Sequence, residues 1–242
     1  MNIVLENGER IEDLQCRGLK IIQNKDLYTF TGDSVVLANF VDIKAKDKCV
    51  EIGAGSGVIS ILLTAKTPVQ NIKAFELQPS MADLAKKNVL LNDLDDKIEV
   101  ICDDVKNFGK YIEKASVDVV FSNPPYMKSG LEQKEDVRAI ARHDKTLPIE
   151  MLCSSTSQML KMGGKFYVVY TAERTAELVV TLAKNNLEPK RMFFTENGKG
   201  RVVLVVIEAV KGGKKGVKVL PQLTTNDMDG KYLEILQTKY VK

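Results

Sequence analysis

The sequence predicts an α/β fold: a doubly wound, mostly parallel sheet that ends in an antiparallel hairpin. Three observations predict it. From residue 49 onward, short apolar runs alternate with helical patterns, the mark of successive βαβ units. The run "VDVVFS" (117–122) reads as apolar on both faces, as a strand covered by helices on both sides must be. The last two strand-like runs are joined by the turn "ENGKG" (196–200), which suggests a hairpin at the sheet edge.

The elements follow in order. The first 47 residues offer one short helix candidate, "SVVLANFV" (34–41), too little for a separate domain. "CVEIG" (49–53) is a strand ending in glycine, and "VISILLTAK" (58–66) a helix. "IKAFE" (72–76) is the next strand. The helix "PSMADLAKKNVLLND" (79–93) follows it, with Pro79 at its entry and Ala82, Ala85 and Val89 on one face. "IEVIC" (98–102) and "VDVVFS" are the third and fourth strands. A helix over 149–162 is expected to stop at Gly163-Gly164. "KFYVVY" (165–170) is strand five, "AERTAELVVTLAKNN" (172–186) a helix, and "KRMFFT" (190–195) and "RVVLVVIEA" (201–209) form the hairpin. One domain is expected over 1–242: an N-terminal segment to residue 44, a core over 45–210, and a tail over 211–242 read as a flap packed on the sheet.

Composition limits the function. Hydrophobic residues make up 44% of the 242 residues, enough for a full core without disulfides or metals. The four cysteines, Cys16, Cys49, Cys102 and Cys153, form no CxxC pair and read as core residues of a reducing compartment. Residues 2–26 are too polar for a signal peptide. No run approaches the ~18 apolar residues of a membrane span. A cytoplasmic protein with no membrane partner is expected, and a monomer is favoured. His143 is the only histidine, so neither a histidine-based triad nor a multi-histidine metal site can be built, and no metal is expected. The net charge of +3 says little; the cluster "KGGKKGVK" (211–218) is a solvated loop or an RNA contact.

Ligands of open α/β sheets bind beyond the carboxyl ends of the strands, and four strand ends here are polar or glycine-rich. The first carries "EIGAGSG", with Glu51, Gly53, Ala54, Gly55 and Gly57. The second ends in Glu76-Leu77, the third in Asp103-Asp104, and the fourth in "NPPY", Asn123-Pro124-Pro125-Tyr126. Glycines let the backbone pass close to a ligand at a tight strand-to-helix turn. Glu76 can accept both ribose hydroxyls of a nucleoside. A carboxylate at Glu51 would repel a pyrophosphate and welcome a ligand with a sulfonium and an amino group. Of Asp103 and Asp104, one suits an adenine amino group and the other a cap for the next segment.

These residues resemble those of the S-adenosylmethionine-dependent methyltransferases with a seven-stranded, Rossmann-like sheet. "EIGAGSG" looks like their cofactor loop, and Glu76 and Asp103 match their ribose and adenine contacts. The resemblance implies S-adenosylmethionine as cofactor, held by Asp33, Glu51, Gly53, Ala54, Gly55, Gly57, Glu76, Leu77, Asp103, Asp104 and Asn123.

The "NPPY" tetrad then has a chemical reading. An exocyclic or amide nitrogen is a poor nucleophile because its lone pair is delocalised. Two acceptors on one side of the NH₂ free that pair and aim it, and the Asn123 side-chain oxygen and the Pro124 carbonyl suit the task. Pro125 fixes φ and removes a competing donor. Tyr126 offers a flat face to a planar substrate, worth ~1–3 kcal/mol per base. The tetrad is similar to that of enzymes methylating adenine N6, cytosine N4, guanine N2 or glutamine amides, so it names nitrogen methylation and leaves the substrate open.

The flanks narrow the target. "YTFTGDSVVLA" (28–38) resembles the Phe-x-x-Gly-Thr-Asp-Ala-x-Leu-Leu segment of the bacterial methyltransferases that act on adenine N6 beside the anticodon of a valine tRNA, without a Thr between Gly32 and Asp33. Asp33 and Ser34 would lie over the cofactor, or Asp33 would cap the following helix. "ARHDKTLPIEML" (141–152) and "DMDGKYLEILQTKY" (227–240) look like further segments of that family. Fifty residues precede Glu51, too few for the helical domain that glutamine methyltransferases carry there. The resemblance implies a tRNA partner, contacted around the mouth by Lys128, Arg138, Arg142 and Arg174, with Lys199 and Arg201 as further candidates. The same chemistry on ribosomal guanine N2, DNA adenine or a glutamine amide stays open. A nicotinamide dehydrogenase or a non-catalytic nucleic-acid-binding relic would leave the tetrad unexplained.

Overall fold

The alternation read from the sequence folds into one mixed sheet, described by a computed structural model over residues 4–27, 29–125, 147–197 and 199–224. An antiparallel pair comes first, β1 (Glu9–Asp13) and β2 (Lys20–Asn24). No strand is expected there from sequence, because "ERIED" has one apolar residue among four charges. Helix α1 (Gly32–Phe40) follows, then β3 (Cys49–Ile52), α2 (Val58–Lys66), β4 (Ile72–Glu76), α3 (Pro79–Leu91), β5 (Ile98–Cys102) and β6 (Val117–Ser122). After residue 147 come α4 (Ile149–Met159), β7 (Leu160–Thr171), α5 (Thr175–Lys184), β8 (Leu187–Glu196) and β9 (Val202–Lys211). Two short strands, β10 (Lys218–Val219) and β11 (Leu223–Thr224), pair in parallel with β8. The rest of the expected tail flap lies outside the described residues.

The seven long strands of this sheet lie in the order β8-β9-β7-β6-β3-β4-β5. Of these, only β9 runs against its neighbours, pairing antiparallel with β7 and β8. The expected Rossmann-like sheet with its antiparallel hairpin strand is therefore present. Chain order reverses at β3, which pairs with β4 on one side and β6 on the other. At such a switch point the connections leave in opposite directions, and a crevice opens at the carboxyl ends of the strands.

The structure corrects the helix expected over 149–162. It ends at Met159, and Leu160 already pairs with Val117 in the sheet. Leu160 is fully buried, and the register between β6 and β7 slips just after it. A Cβ at Gly164 would lie 2.9 Å from the Lys161 carbonyl oxygen, so the glycine pair serves a strand irregularity rather than a helix stop. Cys102 is a second correction: it is exposed at the edge strand, whereas Cys16, Cys49 and Cys153 are buried. Burial pushes the Cys49 and Cys153 thiols well above their ordinary value, so both are inert packing groups.

Helix α1 brings its first turn to the crevice, and its last residue anchors it there. Phe40 is 2% exposed and meets Tyr167 and Phe193 edge-on, with centroids 5.8 and 5.1 Å away. The Arg191 guanidinium lies over the same ring at 4.7 Å, itself paired to the buried Glu208. Phe40→Ala should cost about 3–5 kcal/mol, read as a lower midpoint in urea unfolding with an unchanged slope.

Candidate active site

The glycine loop is built by the end of β4. The amides of Gly53 and Ala54 both donate to the Phe75 carbonyl, each at 2.9 Å. The chain must turn at once, and the loop glycines take positive φ: 72° at Gly53, 56° at Gly55 and 81° at Gly57. L side chains rarely adopt such angles. Gly57 is also the N-cap of α2, so the first amides of that helix point toward the crevice. A cleft forms there, bounded by Phe30, Ser34, the loop residues 53–56, Val58, Ile59 and Asn123.

Glu76 stands beside the loop. It is 6% exposed, and one carboxylate oxygen accepts the Gly55 amide at 2.8 Å while the other accepts the Gln78 amide at 2.9 Å. A carboxylate offers about four lone-pair sites, so two remain for ligand hydroxyls. Leu77, the next residue, is 43% exposed at the strand end.

Glu51 is buried between β3 and α2. Its Oε2 accepts a short hydrogen bond from Ser60 Oγ, while Oε1 has no partner among the described residues. Burial, reinforced by the nearby Glu76, pushes its carboxyl from 4.5 up to about 8, against the lowering effect of Ser60. The expectation of a carboxylate facing the ligand is thereby refined: Glu51 holds its proton at neutral pH until a cation approaches, and it does not line the cleft.

Asp103 and Asp104 divide the work at the end of β5. Asp104 is the cap: its carboxylate accepts the Lys106 amide at 2.9 Å at the start of the 3-10 helix Val105–Lys110. The Asp103 carboxylate is held by the same turn and helix. It accepts from Asn107 at 2.7 Å, Tyr111 at 2.9 Å, Lys110 at 3.2 Å and the Asp104 amide at 2.7 Å. These bonds, Asn107 and Tyr111 first, hold its carboxyl well below the usual range.

Asn123, Pro124 and Pro125 follow β6 directly. Ser122 Oγ donates to the Ile52 carbonyl at 2.7 Å, tying this strand end to the start of the glycine loop. Asn123 Nδ2 donates to Ser34 Oγ at 3.1 Å. That bond turns the amide nitrogen toward α1 and leaves the carbonyl oxygen on the opposite side. Tyr126, Lys128, Arg138, Arg142 and His143 lie outside the described residues. Asp33 is buried in the first turn of α1, whose N-cap is Thr31. The cap reading for Asp33 is therefore corrected, since the helix begins two residues before the expected start.

The candidate RNA contacts separate by position. Arg174 follows β7 and Arg201 precedes β9, so both sit at the same end of the sheet as Asn123. Arg174 is held bidentately by Glu177 and lies 5.1 Å over the Tyr170 ring, and Arg201 pairs with Glu173 at 3.0 Å. The basic cluster at 211–218 starts toward the opposite end, where Lys211 Nζ donates to the Ser157 and Leu160 carbonyls, and returns along β8 until Lys218 pairs with Arg191. Sequence reasoning missed Phe30, Ser56, Ile59 and Ser60; "Ser-Gly-Val-Ile-Ser" reads as helix entry, and nothing in it signals a hydroxyl aimed back at Glu51.

A Rossmann-like sheet with a glycine loop, an acidic second strand end and Asn-Pro-Pro at the fourth is the build of a methyltransferase that uses S-adenosylmethionine. The orphan oxygen of Glu51 and the open lone pairs of Glu76 fit that cofactor's ammonium and ribose groups. Residues 31–190 match the family model "Methyltransferase small domain", and the chain belongs to that family. A relative from Bacteroides thetaiotaomicron is 31% identical over 185 residues, spanning 69% of this chain and 77% of the relative. Another from Dyadobacter fermentans is 27% identical over 218 residues, spanning 87% and 89%. Both carry the name tRNA1(Val) (adenine(37)-N6)-methyltransferase. Among solved structures, a predicted O-methyltransferase from Agrobacterium tumefaciens superposes with a TM-score of 0.67 at 18% identity, over 87% of this chain and 99% of its own. That likeness shows the fold.

The two carboxylates can be tested separately. Between about pH 5 and 8 the native state keeps a proton on Glu51 that the unfolded chain releases, so its stability contribution falls as pH rises. Glu51→Gln should remove that fall, seen by thermal melting across the range. Glu76→Ala should weaken S-adenosylmethionine binding at least about tenfold, measured by calorimetry, since it removes both the ligand acceptor and the Gly55 tie.

Proposed function

We propose that the chain methylates the exocyclic N6 amino group of an adenine in tRNA, the anticodon-loop adenine beside the anticodon of a valine tRNA. The carrying observation is the placement of Asn123 across one cleft from the glycine loop, with its amide tied to Ser34. S-adenosylmethionine supplies an electrophilic methyl group on a sulfonium when bound. The Asn123 carbonyl oxygen and the Pro124 carbonyl accept the two hydrogens of the adenine amino group. This would turn the nitrogen lone pair toward the cofactor's methyl carbon, with the N–C bond forming as the C–S electron pair went to sulfur. The nitrogen becomes acidic as it is alkylated and gives its proton to solvent, so no strong base is required. Positioning then carries most of the rate, worth roughly 7–11 kcal/mol in well-oriented systems. Tyr126 is assigned the stacking role, and Glu51 and Glu76 the ammonium and ribose of the cofactor; Asp103, whose four donors fill its lone pairs, takes the adenine amino group only by releasing one of them.

The names of the relatives support the tRNA target, as does the position of Arg174 and Arg201 on the Asn123 side of the sheet. An anticodon-loop base is already partly unpaired and cheap to splay into a cleft. The test is transfer of labelled methyl from S-adenosylmethionine to unmodified bulk tRNA, with ribosomal RNA and a release factor in parallel. Label recovered as N6-methyladenosine in tRNA is the expected result; label only in guanine or in protein would move the target. Asn123→Ala should lose at least about 100-fold in transfer rate while binding the cofactor as the parent does.

A further inference from the structure

We infer that Asn88, on α3 and outside the cleft, is a positioning residue that sets the cofactor loop and couples it to the N-terminal hairpin, a role that rests on reading the glycine loop as the cofactor site. Asn88 is fully buried. Its Oδ1 accepts the Ile22 amide at 2.5 Å, and its Nδ2 donates to the Ile22 carbonyl at 3.1 Å and the Ser56 carbonyl at 3.0 Å. Both amide hydrogens and the oxygen are thus engaged, and they join three elements: β2, α3 and the loop.

Asn92 provides an internal contrast. One turn further along α3, its side chain accepts the Lys20 amide and donates to the Lys20 carbonyl, each at 2.8 Å, and its remaining bond goes to the Asn88 carbonyl rather than to the loop. Four residues along a helix advance about 6 Å, and two along a strand about 6.6 Å. Two asparagines at that spacing therefore pair with alternate residues of β2 as a neighbouring strand would. Docking the hairpin needs both; of the two, Asn88 alone also reaches the loop.

The bond to Ser56 acts where the loop becomes α2. Ser56 is 4% exposed and lines the cleft, and the peptide it shares with Gly57 sets the N-cap and the direction of the first helical amides. Glu76 holds the loop from one side through Gly55, and Asn88 holds it from the other through Ser56. Glu76 has lone pairs left for a ligand; Asn88 is fully buried behind the loop and acts through it.

The test compares Asn88→Asp with Asn92→Ala in the full chain. Asn88→Asp keeps the shape but sets an oxygen against two carbonyls. S-adenosylhomocysteine and S-adenosylmethionine binding are measured by calorimetry, and thermal midpoints are recorded for each variant. Asn88→Asp should raise Kd about tenfold or more. Asn92→Ala, with a comparable drop in midpoint, should stay within about twofold of the parent. Equal losses in both variants, or an Asn88→Asp Kd within twofold of the parent, would overturn the inference. A parent that binds neither ligand would remove the cofactor reading itself. Should Asn88→Asp not fold, amide exchange on the parent decides. Saturating S-adenosylhomocysteine is expected to slow exchange of the Ile22 amide more than that of Lys20. An Ile22 amide that ignores the ligand would sink the coupling.

Discussion

The end of β4 is the fixture on which the site depends. One carbonyl, that of Phe75, takes the amides of both Gly53 and Ala54, and the next side chain, Glu76, takes the amide of Gly55. Three consecutive amides of the loop are thereby held by two consecutive residues of the neighbouring strand. Parallel pairing of β3 with β4 brings these groups level, and left-handed φ values let the loop complete the turn into α2. The cleft is therefore a product of sheet register. A shift of one residue between β3 and β4 would turn Glu76 to the other face of the sheet and leave the loop without its acceptor.

Charge at the site is arranged against the protein's own stability. Glu51 is buried with one oxygen lacking a partner among the described residues and lies near Glu76, so folding carries an electrostatic cost there. A cation brought into the site would relieve it. A pyrophosphate brings no such charge and so gains nothing from Glu51, which keeps its proton behind the loop. Discrimination between cofactors thus comes from what the loop places behind its glycines, because the glycines themselves serve either ligand.

Much of this was legible in the sequence because strand ends are marked by residue type. "EIGAGSG", Glu76, the Asp103-Asp104 pair and Asn123-Pro124-Pro125 each follow an apolar run, and the fold needs only right-handed crossovers to gather them. What was not legible depends on contacts between distant residues. The hairpin of β1 and β2 carries little alternation of its own and is held by Asn88 and Asn92, which read as ordinary polar positions of an amphipathic helix. Leu160 reads as the end of a helix because its partner, Val117, is far away in sequence. Asp103 and Asp104 are equivalent on paper; the turn into the 3-10 helix makes one a cap and gives the other four donors.

The chemistry and the choice of substrate sit on different parts of the molecule. In the proposed reaction Asn123 and Pro124 offer two acceptors that any planar NH₂ group would satisfy, so nothing in them distinguishes adenine from guanine or an amide. Selection must come from the rim at the carboxyl end of the sheet. There Arg174 and Arg201 are each paired with an acid yet remain partly exposed. Paired arginines keep their fork oriented at little further entropic cost. The lysines at 214, 215 and 218 are more exposed and lie along the outer edge of β8, where Lys218 pairs with Arg191 and is therefore level with Tyr167 and Phe121. From β8 to β6 is three strand spacings, about 14 Å, so a nucleic acid that feeds a base to Asn123 reaches those lysines by crossing β7, β9 and β8, and the arginine rim lies nearer on that path.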